Sequence, residues 1–405
     1  MAVEQKLYYT LRAHVASITD LCCVYGLNTP HLLSSDSDGT IYLWNLISRR
    51  PVAHGKISGQ VVWIDCLRPG LYVALSKDNT LRFMRTQHNK EIVKITEYVS
   101  RELQELRVVY EIPVNSLNFA NVAIQELDNE RYMLWCCNTM DSECIDIYEF
   151  NLSNEQSFKR VFQALNIYEQ ISNIRGEKNI FKFDKLGTIM KFLAVGPMVY
   201  CGFESGFVVG LRVCDGVVDI AYVSPVHYPE PVLGMVYNKE KHVVLTSSTK
   251  NIIGIHCTEM GFGKLYDKID NVRIMRGLEY TKTSFNVPLK KVSHIDVLDG
   301  LLLLGSWTGY VVALQESDNE VVFKIRKDKN QVYVDDSYIG NAEPSNKEKP
   351  WTPVGCVIGV PGNVFDKLGN RNSLRPGEIR KLNEFAKHRW CVVGYEDGTI
   401  TIYQV

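Results

Sequence analysis

The 405-residue sequence carries almost no net charge: 45 Lys and Arg stand against 46 Asp and Glu, leaving −1. That balance excludes a global attraction to nucleic acid or to an anionic membrane, so any such contact would have to be local. Long apolar runs are missing too. No stretch of about 18 apolar residues occurs, and the opening "MAVEQKLYYTLRAH" lacks the apolar core of a signal peptide. The expectation is a cytosolic or nuclear chain with no membrane span. Eleven cysteines include no C-x-x-C, and Cys22-Cys23 and Cys136-Cys137 sit in strand-like runs where neighbours face opposite ways. Reduced packing thiols fit that placement, since a zinc site needs closely spaced ligands. Neither metal nor cofactor is expected.

Enzymatic signatures are absent as well. The sequence has no G-x-x-x-x-G-K-[ST], no G-x-S-x-G, no H-E-x-x-H and no EF-hand loop. "GFESGFVVG" (202–210) spaces three glycines, but across a strand-turn-strand where glycine serves the turn rather than a phosphate. The nine histidines show no metal spacing, and His256 and His294 are expected inside strands. Asp335-Asp336 fall in a charged, turn-rich stretch, a poor place to hold an acid and a base in fixed geometry. No catalysis is expected.

What is present is a repeat. "SSDSDGTIYLWN" (34–45) reads as a polar turn at Asp38-Gly39 entering an alternating strand, and the pattern returns near Asp78, Asp141, Ser205, Thr249, Thr308 and Asp397. Each turn follows another short apolar strand, among them "HLLSS", "YVALS", "LLLLGS" and "RWCVVGY". Short strands and tight turns at spacings of roughly 40 to 90 residues are the mark of a β-propeller with one four-stranded blade per repeat. The chain stops after the third strand of the seventh repeat, and "EQKLYYTLR" near the start alternates well enough to supply the fourth. The expected fold is all-β: one seven-bladed ring over 1–405, its last blade completed by about 3–13, which removes exposed edges.

Two stretches depart from the pattern. Residues 326–351 are charged and rich in turn formers, and read as a surface insertion. Within a second insertion, 363–389, a helix opened by Pro376 carries Ile379, Leu382, Phe385 and Ala386 at helical spacing. Its basic residues, Arg375, Arg380, Lys381, Lys387 and Arg389, are candidates for contact with an acidic partner. A helical turn is expected from Tyr98, becoming a strand at Leu106.

The first repeat carries a family resemblance. Ala13-His14, Ser34, Asp38-Gly39 and Trp44-Asn45 resemble a WD repeat, and the resemblance implies a hydrogen-bonded tetrad of His14, Ser34, Asp38 and Trp44. Indole N–H, hydroxyl, imidazole and carboxylate can bond in that order. "TLRAHVASITDL", "RRPVAH" and the closing "WCVVGYEDGTITIYQV" further resemble the fungal ASTRA-associated protein 1 family, whose animal relative is named a G-protein β-like protein. The resemblance implies a non-catalytic scaffold subunit of the nuclear ASTRA assembly, tied to chromatin remodelling. It also implies, as partners, protein subunits that include a kinase-related subunit and the cochaperone that matures phosphatidylinositol-3-kinase-related kinases, with no direct nucleic acid or membrane contact. The competing reading is a cytoplasmic G-protein β-like adaptor or a ubiquitin-ligase substrate receptor. Against these stand a strand beginning near residue 5, where a β subunit has a long helix, and "WNLISRR", which puts Arg49 too far from Trp44 for the receptor motif.

Overall fold

The turn after Asp36 shows how each strand pair is made. Gly39 N–H donates to the Asp36 carbonyl, and Gly39 holds φ +85°, where an added Cβ would lie 2.3 Å from the Ile57 oxygen. Only glycine adopts that backbone at no steric cost. The computed structural model describes residues 6–86, 103–116, 120–128, 130–152, 154–175, 185–258, 266–269, 271–275, 283–328, 351–372 and 374–405.

Apart from two α-helices and a short 3-10 turn, the regular elements among the described residues are strands, nearly all in antiparallel meanders. Strand β1 (Lys6–Arg12) precedes the first meander, β2 (Ile18–Val24), β3 (His31–Asp36), β4 (Thr40–Asn45) and β5 (Arg50–Lys56). The second is β6 (Val61–Arg68), β7 (Leu71–Ser76), β8 (Thr80–Thr86) and β9 (Gln104–Pro113). The third is β10 (Ala123–Asp128), β11 (Arg131–Cys137), β12 (Cys144–Asn151) and β13 (Asn154–Asn166), followed by helix α1 (Ile167–Arg175). The fourth is β14 (Ile189–Val195), β15 (Met198–Phe203), β16 (Val208–Cys214) and β17 (Val217–Ser224). The fifth takes β18 (Gly234–Asn238), β19 (Val243–Ser247) and β20 (Ile252–Cys257), then, after the hairpin β21 (Tyr266–Ile269) and β22 (Val272–Met275), β23 (Ser284–Asn286). The sixth is β24 (Val292–Leu298), β25 (Leu301–Ser306), β26 (Tyr310–Gln315) and β27 (Val321–Arg326). The last joins β28 (Val354–Val360), β29 (Trp390–Tyr395) and β30 (Thr399–Gln404) to β1, with Leu11 opposite Ile400.

Meanders meet face to face. Leu33 and Ile41 of the first pack with Ile64 and Tyr72 of the second, and Phe83 with Tyr132 and Leu134 of the third. Trp135 meets Phe192 and Phe203 of the fourth, and Tyr200 meets Val232 and Val244 of the fifth. Leu245 and Ile253 pack on Leu302 and Leu304 of the sixth, whose Leu303 and Val311 reach Val357 and Val393 of the last. The last packs back on the first, where Leu11, Val392 and Ile400 share a cluster with Leu21, Leu32 and Trp44. Side chains from all seven meanders, in or beside their leading strands, line one cavity of about 300 Å³.

Polar side chains stitch leading strands together around that cavity. Asp20 Oδ2 accepts from Ile64 N–H at 2.9 Å, Asn121 makes a reciprocal pair with the Phe192 backbone at 2.8 and 2.9 Å, and Asp296 Oδ2 accepts from Gly359 N–H at 2.7 Å. Two outer edges are covered. Strand β9 pairs in parallel with β5, fusing the first two meanders, and β22 pairs in parallel with β17. Asp219, fully buried, holds that hairpin by accepting from Arg212 Nε and Arg273 Nε, each at 2.6 Å.

One sequence expectation is shifted by the structure, one falls mostly outside the described residues, and one helix was not expected. The strand expected at Leu106 begins at Gln104, because pairing with β5 extends it; residues 98–102 lie outside the described residues. Most of the 326–351 insertion, 329–350, also lies outside them, its flanks joined by a bridge between Asp328 and Trp351. Helix α1 had no counterpart in the reading by repeats. Removing residues 1–12 deletes β1 and Leu11, which is 1 % exposed, and leaves β30 as an open edge. Sedimentation velocity on the truncated protein is expected to show concentration-dependent oligomers and calorimetry a lower melting temperature. A monomer with unchanged melting would show that β1 contributes nothing to the fold.

Candidate functional site

His14, in the connection from β1 to β2, is buried between two bonds: Nε2 to Ser34 Oγ and Nδ1 to Asp36 Oδ2, both at 2.7 Å. Trp44 Nε1 donates to Ser34 Oγ at 2.8 Å, so the Ser34 proton is free to donate to Nε2 and His14 Nδ1–H donates to Asp36. The carboxylate in this tetrad is Asp36, and the expected Asp38 takes no part through its side chain. The reason is the two-residue period of a strand: Ser34 and Asp36 share one face of β3, whereas Asp38 has passed into the exposed turn. Asp38 contributes its backbone N–H, which with that of Thr40 donates to Asp36 Oδ1 at 3.0 and 2.8 Å. Burial alone would raise the Asp36 carboxyl; the His14 bond and these two N–H groups hold it below the usual carboxylate range.

A second network of the same plan lies in the fifth meander and was not legible from the repeat pattern. His227 Nε2 and His256 Nε2 both bond Thr246 Oγ1 at 2.8 Å, and His256 Nδ1 bonds Tyr222 Oη at 3.0 Å. Thr246 stands where Ser34 does, His256 replaces the indole, and Ser248, two residues on, replaces Asp36. Ser248 Oγ still accepts from Lys250 N–H, but His227 Nδ1 has no hydrogen-bond partner among the described residues. The single hydroxyl proton of Thr246 serves only one ring. Assigning it to His256 leaves His227 Nδ1 as a bare lone pair rather than a buried N–H, the less costly arrangement.

These polar groups are spent on folding. Asp36→Ala removes an acceptor from a buried imidazole and from two turn N–H groups, and is expected to cost about 1–3 kcal/mol in denaturant unfolding. Asp38→Ala should stay within about 0.5 kcal/mol. Equal effects from both would overturn the assignment to Asp36. Burial lowers His227 to about 4 and His256 to about 3. Both rings therefore bind protons in the unfolded chain first. Their contribution is complete above the ordinary histidine value of 6.5 and lost as pH falls from there, by up to about 1.4 kcal/mol per unit for each ring. Asp20, which burial raises to about 7, and Asp296, raised to about 6, slope the opposite way, so the measurement is a difference. The stability gap between wild type and His227→Gln/His256→Gln should narrow from pH 7 to pH 5; a constant gap would refute the buried neutral pair.

The second candidate surface is helix α2 (Pro376–Phe385). Its buried face is Leu382 and Phe385; Phe385 stacks on Trp390 with centroids 4.8 Å apart, and Trp390 in turn meets Tyr8 of β1 at 4.3 Å. Ile379, expected in that stripe, is 41 % exposed. The five basic candidates divide. Arg375, Arg380 and Lys381 are exposed, with no ion pair among the described residues. Lys387 is committed to Glu384 at 2.7 Å, and Arg389 donates to the Asp299 carbonyl at 3.0 Å. No cluster of His, Cys, Asp and Glu that could hold a metal occurs among the described residues.

Comparison with known proteins converges on one family. The family model for ASTRA-associated protein 1 matches residues 7–403. The chain is 45 % identical over 397 residues to ASTRA-associated protein 1 of Eremothecium gossypii, covering 98 % of this chain and 100 % of that one. It is 39 % identical over 402 residues to the Kluyveromyces lactis protein of that name, covering 98 % of each. Among solved structures it resembles the Cps50 (Swd1) β-propeller domain of Myceliophteria thermophila, with a TM-score of 0.60, 9 % identity and 99 and 100 % of the two chains covered. That likeness shows a β-propeller fold. With a family model spanning nearly its whole length and full-length relatives at this identity, the chain belongs to the ASTRA-associated protein 1 family.

Proposed function

We propose that the protein is a non-catalytic, nuclear WD-repeat scaffold subunit of the ASTRA assembly, acting in chromatin remodelling and in the maturation of phosphatidylinositol-3-kinase-related kinases. Its partners in this reading are a kinase-related subunit and that subunit's cochaperone. The scaffold is a closed seven-bladed propeller in which β1 completes the last blade. Supporting closure are the β1–β30 pairing and the shared packing of Leu11, Val392 and Trp44. A ring of this kind is a stiff disc whose loops can vary while the strands hold, which suits simultaneous docking of several proteins.

The observation that carries the docking part is the split character of α2. Leu382 and Phe385 are buried, with Phe385 stacked on Trp390, while Arg375 at the N-cap, Arg380 and Lys381 are exposed with no partner of opposite charge among the described residues. Exposed charges of this kind contribute little to folding, under about 1 kcal/mol, but a like-charge encounter at an interface costs several. Arg375→Glu/Arg380→Glu/Lys381→Glu is therefore expected to keep its melting temperature and lose a partner when the tagged protein is purified from nuclear extract and its companions identified by mass spectrometry. Full recovery of the assembly by the stable variant would remove this face from consideration. If wild type recovers no such assembly, the scaffold reading fails.

A further inference from the structure

A four-stranded meander has two ends. The links from second to third strand and from fourth strand to the next meander emerge at one end; helix α2, between β28 and β29, emerges at the other. Among the described residues, four large exposed side chains outside strands and α2 lie at the first end, Val15, Met140, Tyr228 and Trp307, while Leu103, just before β9, lies at the other. Two of the four at the first end, Tyr228 (42 % exposed) in the link from the fourth meander to the fifth and Trp307 (47 %) in the second-to-third-strand turn of the sixth, are connected through the loops at Thr249–Lys250 and Lys290–Lys291.

Those loops are tied together by hydrogen bonds. Trp307 N–H donates to the Lys291 carbonyl at 3.2 Å, Lys291 N–H to the Thr249 carbonyl at 3.0 Å, and Ser306 Oγ to the Lys290 carbonyl at 2.7 Å. Lys250 Nζ donates to the Tyr228 carbonyl at 3.0 Å, and Thr249 Oγ1 bonds Glu230. The result is a continuous arc in which two aromatic rings and three lysines are held on a fixed backbone. Lys290 and Lys291 are exposed, and neither is in an ion pair among the described residues; Glu230 is the one carboxylate woven into the arc.

We propose that this arc is a docking surface for an acidic segment of a partner protein, with a large apolar side chain of that segment seated against Trp307, flanking carboxylates on Lys290, Lys291 and Lys250, and Tyr228 at the far end of the arc. An exposed tryptophan on a hydrogen-bonded turn offers a large contact area with little ordering cost, the profile of an interface hot spot. The unmatched ammonium groups select the partner's charge. Three lysines on a chain of net charge −1 provide a local match for carboxylates but no extended track for a phosphate backbone. This surface is independent of the α2 face and of membership in any assembly.

The test uses the full-length protein and a fluorescein-labelled octapeptide, Asp-Glu-Asp-Leu-Phe-Glu-Asp-Glu, followed by anisotropy. Wild type should bind it. Trp307→Ala, and separately Lys290→Glu/Lys291→Glu, should each weaken binding at least about tenfold with unchanged melting temperature. The α2 reversal Arg375→Glu/Arg380→Glu/Lys381→Glu should leave it unaltered, and a peptide with Gly-Gly in place of Leu-Phe should bind as poorly as the Trp307→Ala protein binds the parent. No binding by wild type, equal binding by Trp307→Ala, or tighter binding of an oligodeoxythymidine of the same net charge would each overturn the proposal.

Discussion

A single four-stranded meander of this sequence cannot exist alone, because both of its faces are apolar and it can cover neither. That constraint organises the rest. In the second strands "HLLSSD", "LYVALS", "MVYCGF" and "LLLLGS" every residue is buried, so successive side chains must find cover on opposite sides. Each meander finds it in the one before and the one after, and the first and last find it in each other through Leu11, Trp44 and Val392. Edges are the remaining liability. Pairing of β9 with β5, addition of the β21–β22 hairpin to β17 and coverage of β30 by β1 dispose of three of them.

Burying so many strand ends creates a demand for polar partners at the turns, and it explains why the repeat is loose. In four meanders the last residue of the second strand, or the one after it, meets the demand with whatever acceptor fits: Asp36 for Asp38 N–H, Asn138 for Met140 N–H, Ser248 for Lys250 N–H and Ser306 for Thr308 N–H. The physical requirement is an acceptor at one position, and three residue types satisfy it. Where His14 also needs a charge-assisted partner, only the carboxylate serves both. In the fifth meander the serine caps the turn but leaves His227 Nδ1 without a bond among the described residues. Selection for the turn is thus separable from selection for the full tetrad.

The same geometry separates the two candidate surfaces. Helix α2 is anchored through Phe385 and Trp390 at one end of the meanders, and the Trp307–Tyr228 arc is fixed through backbone bonds at the other. Neither surface competes for the groups that hold the fold. A propeller that belongs to the ASTRA-associated protein 1 family and offers a basic helix on one end and an aromatic–lysine arc on the other has the layout of a connector.

The sequence by itself determined the class of fold, because alternation and turn chemistry are local: Asp38-Gly39, Asp397-Gly398 and the short apolar strands before them are written within a dozen residues, while the family was carried by resemblance in the first repeat and the last hairpin. It also placed α2, from Pro376 and the spacing of Leu382 and Phe385. What tertiary structure alone decided are the pairings between distant residues. That His14 meets Asp36 rather than Asp38 depends on where β3 ends: Ser34 and Asp36 share one face of the strand, and two residues on Asp38 has already entered the turn. That Lys387 and Arg389 are committed while Arg375, Arg380 and Lys381 are not depends on Glu384 and on a carbonyl 90 residues away. That Thr246 joins His227 to His256 follows from the pairing of β19 with β20 beside the link that enters the fifth meander, and that Trp307 stands beside Lys290 and Lys291 follows from two loops being stacked at one end. Sequence distance carries no record of that adjacency, because the packing of meander on meander, not the local chain, brings those side chains together.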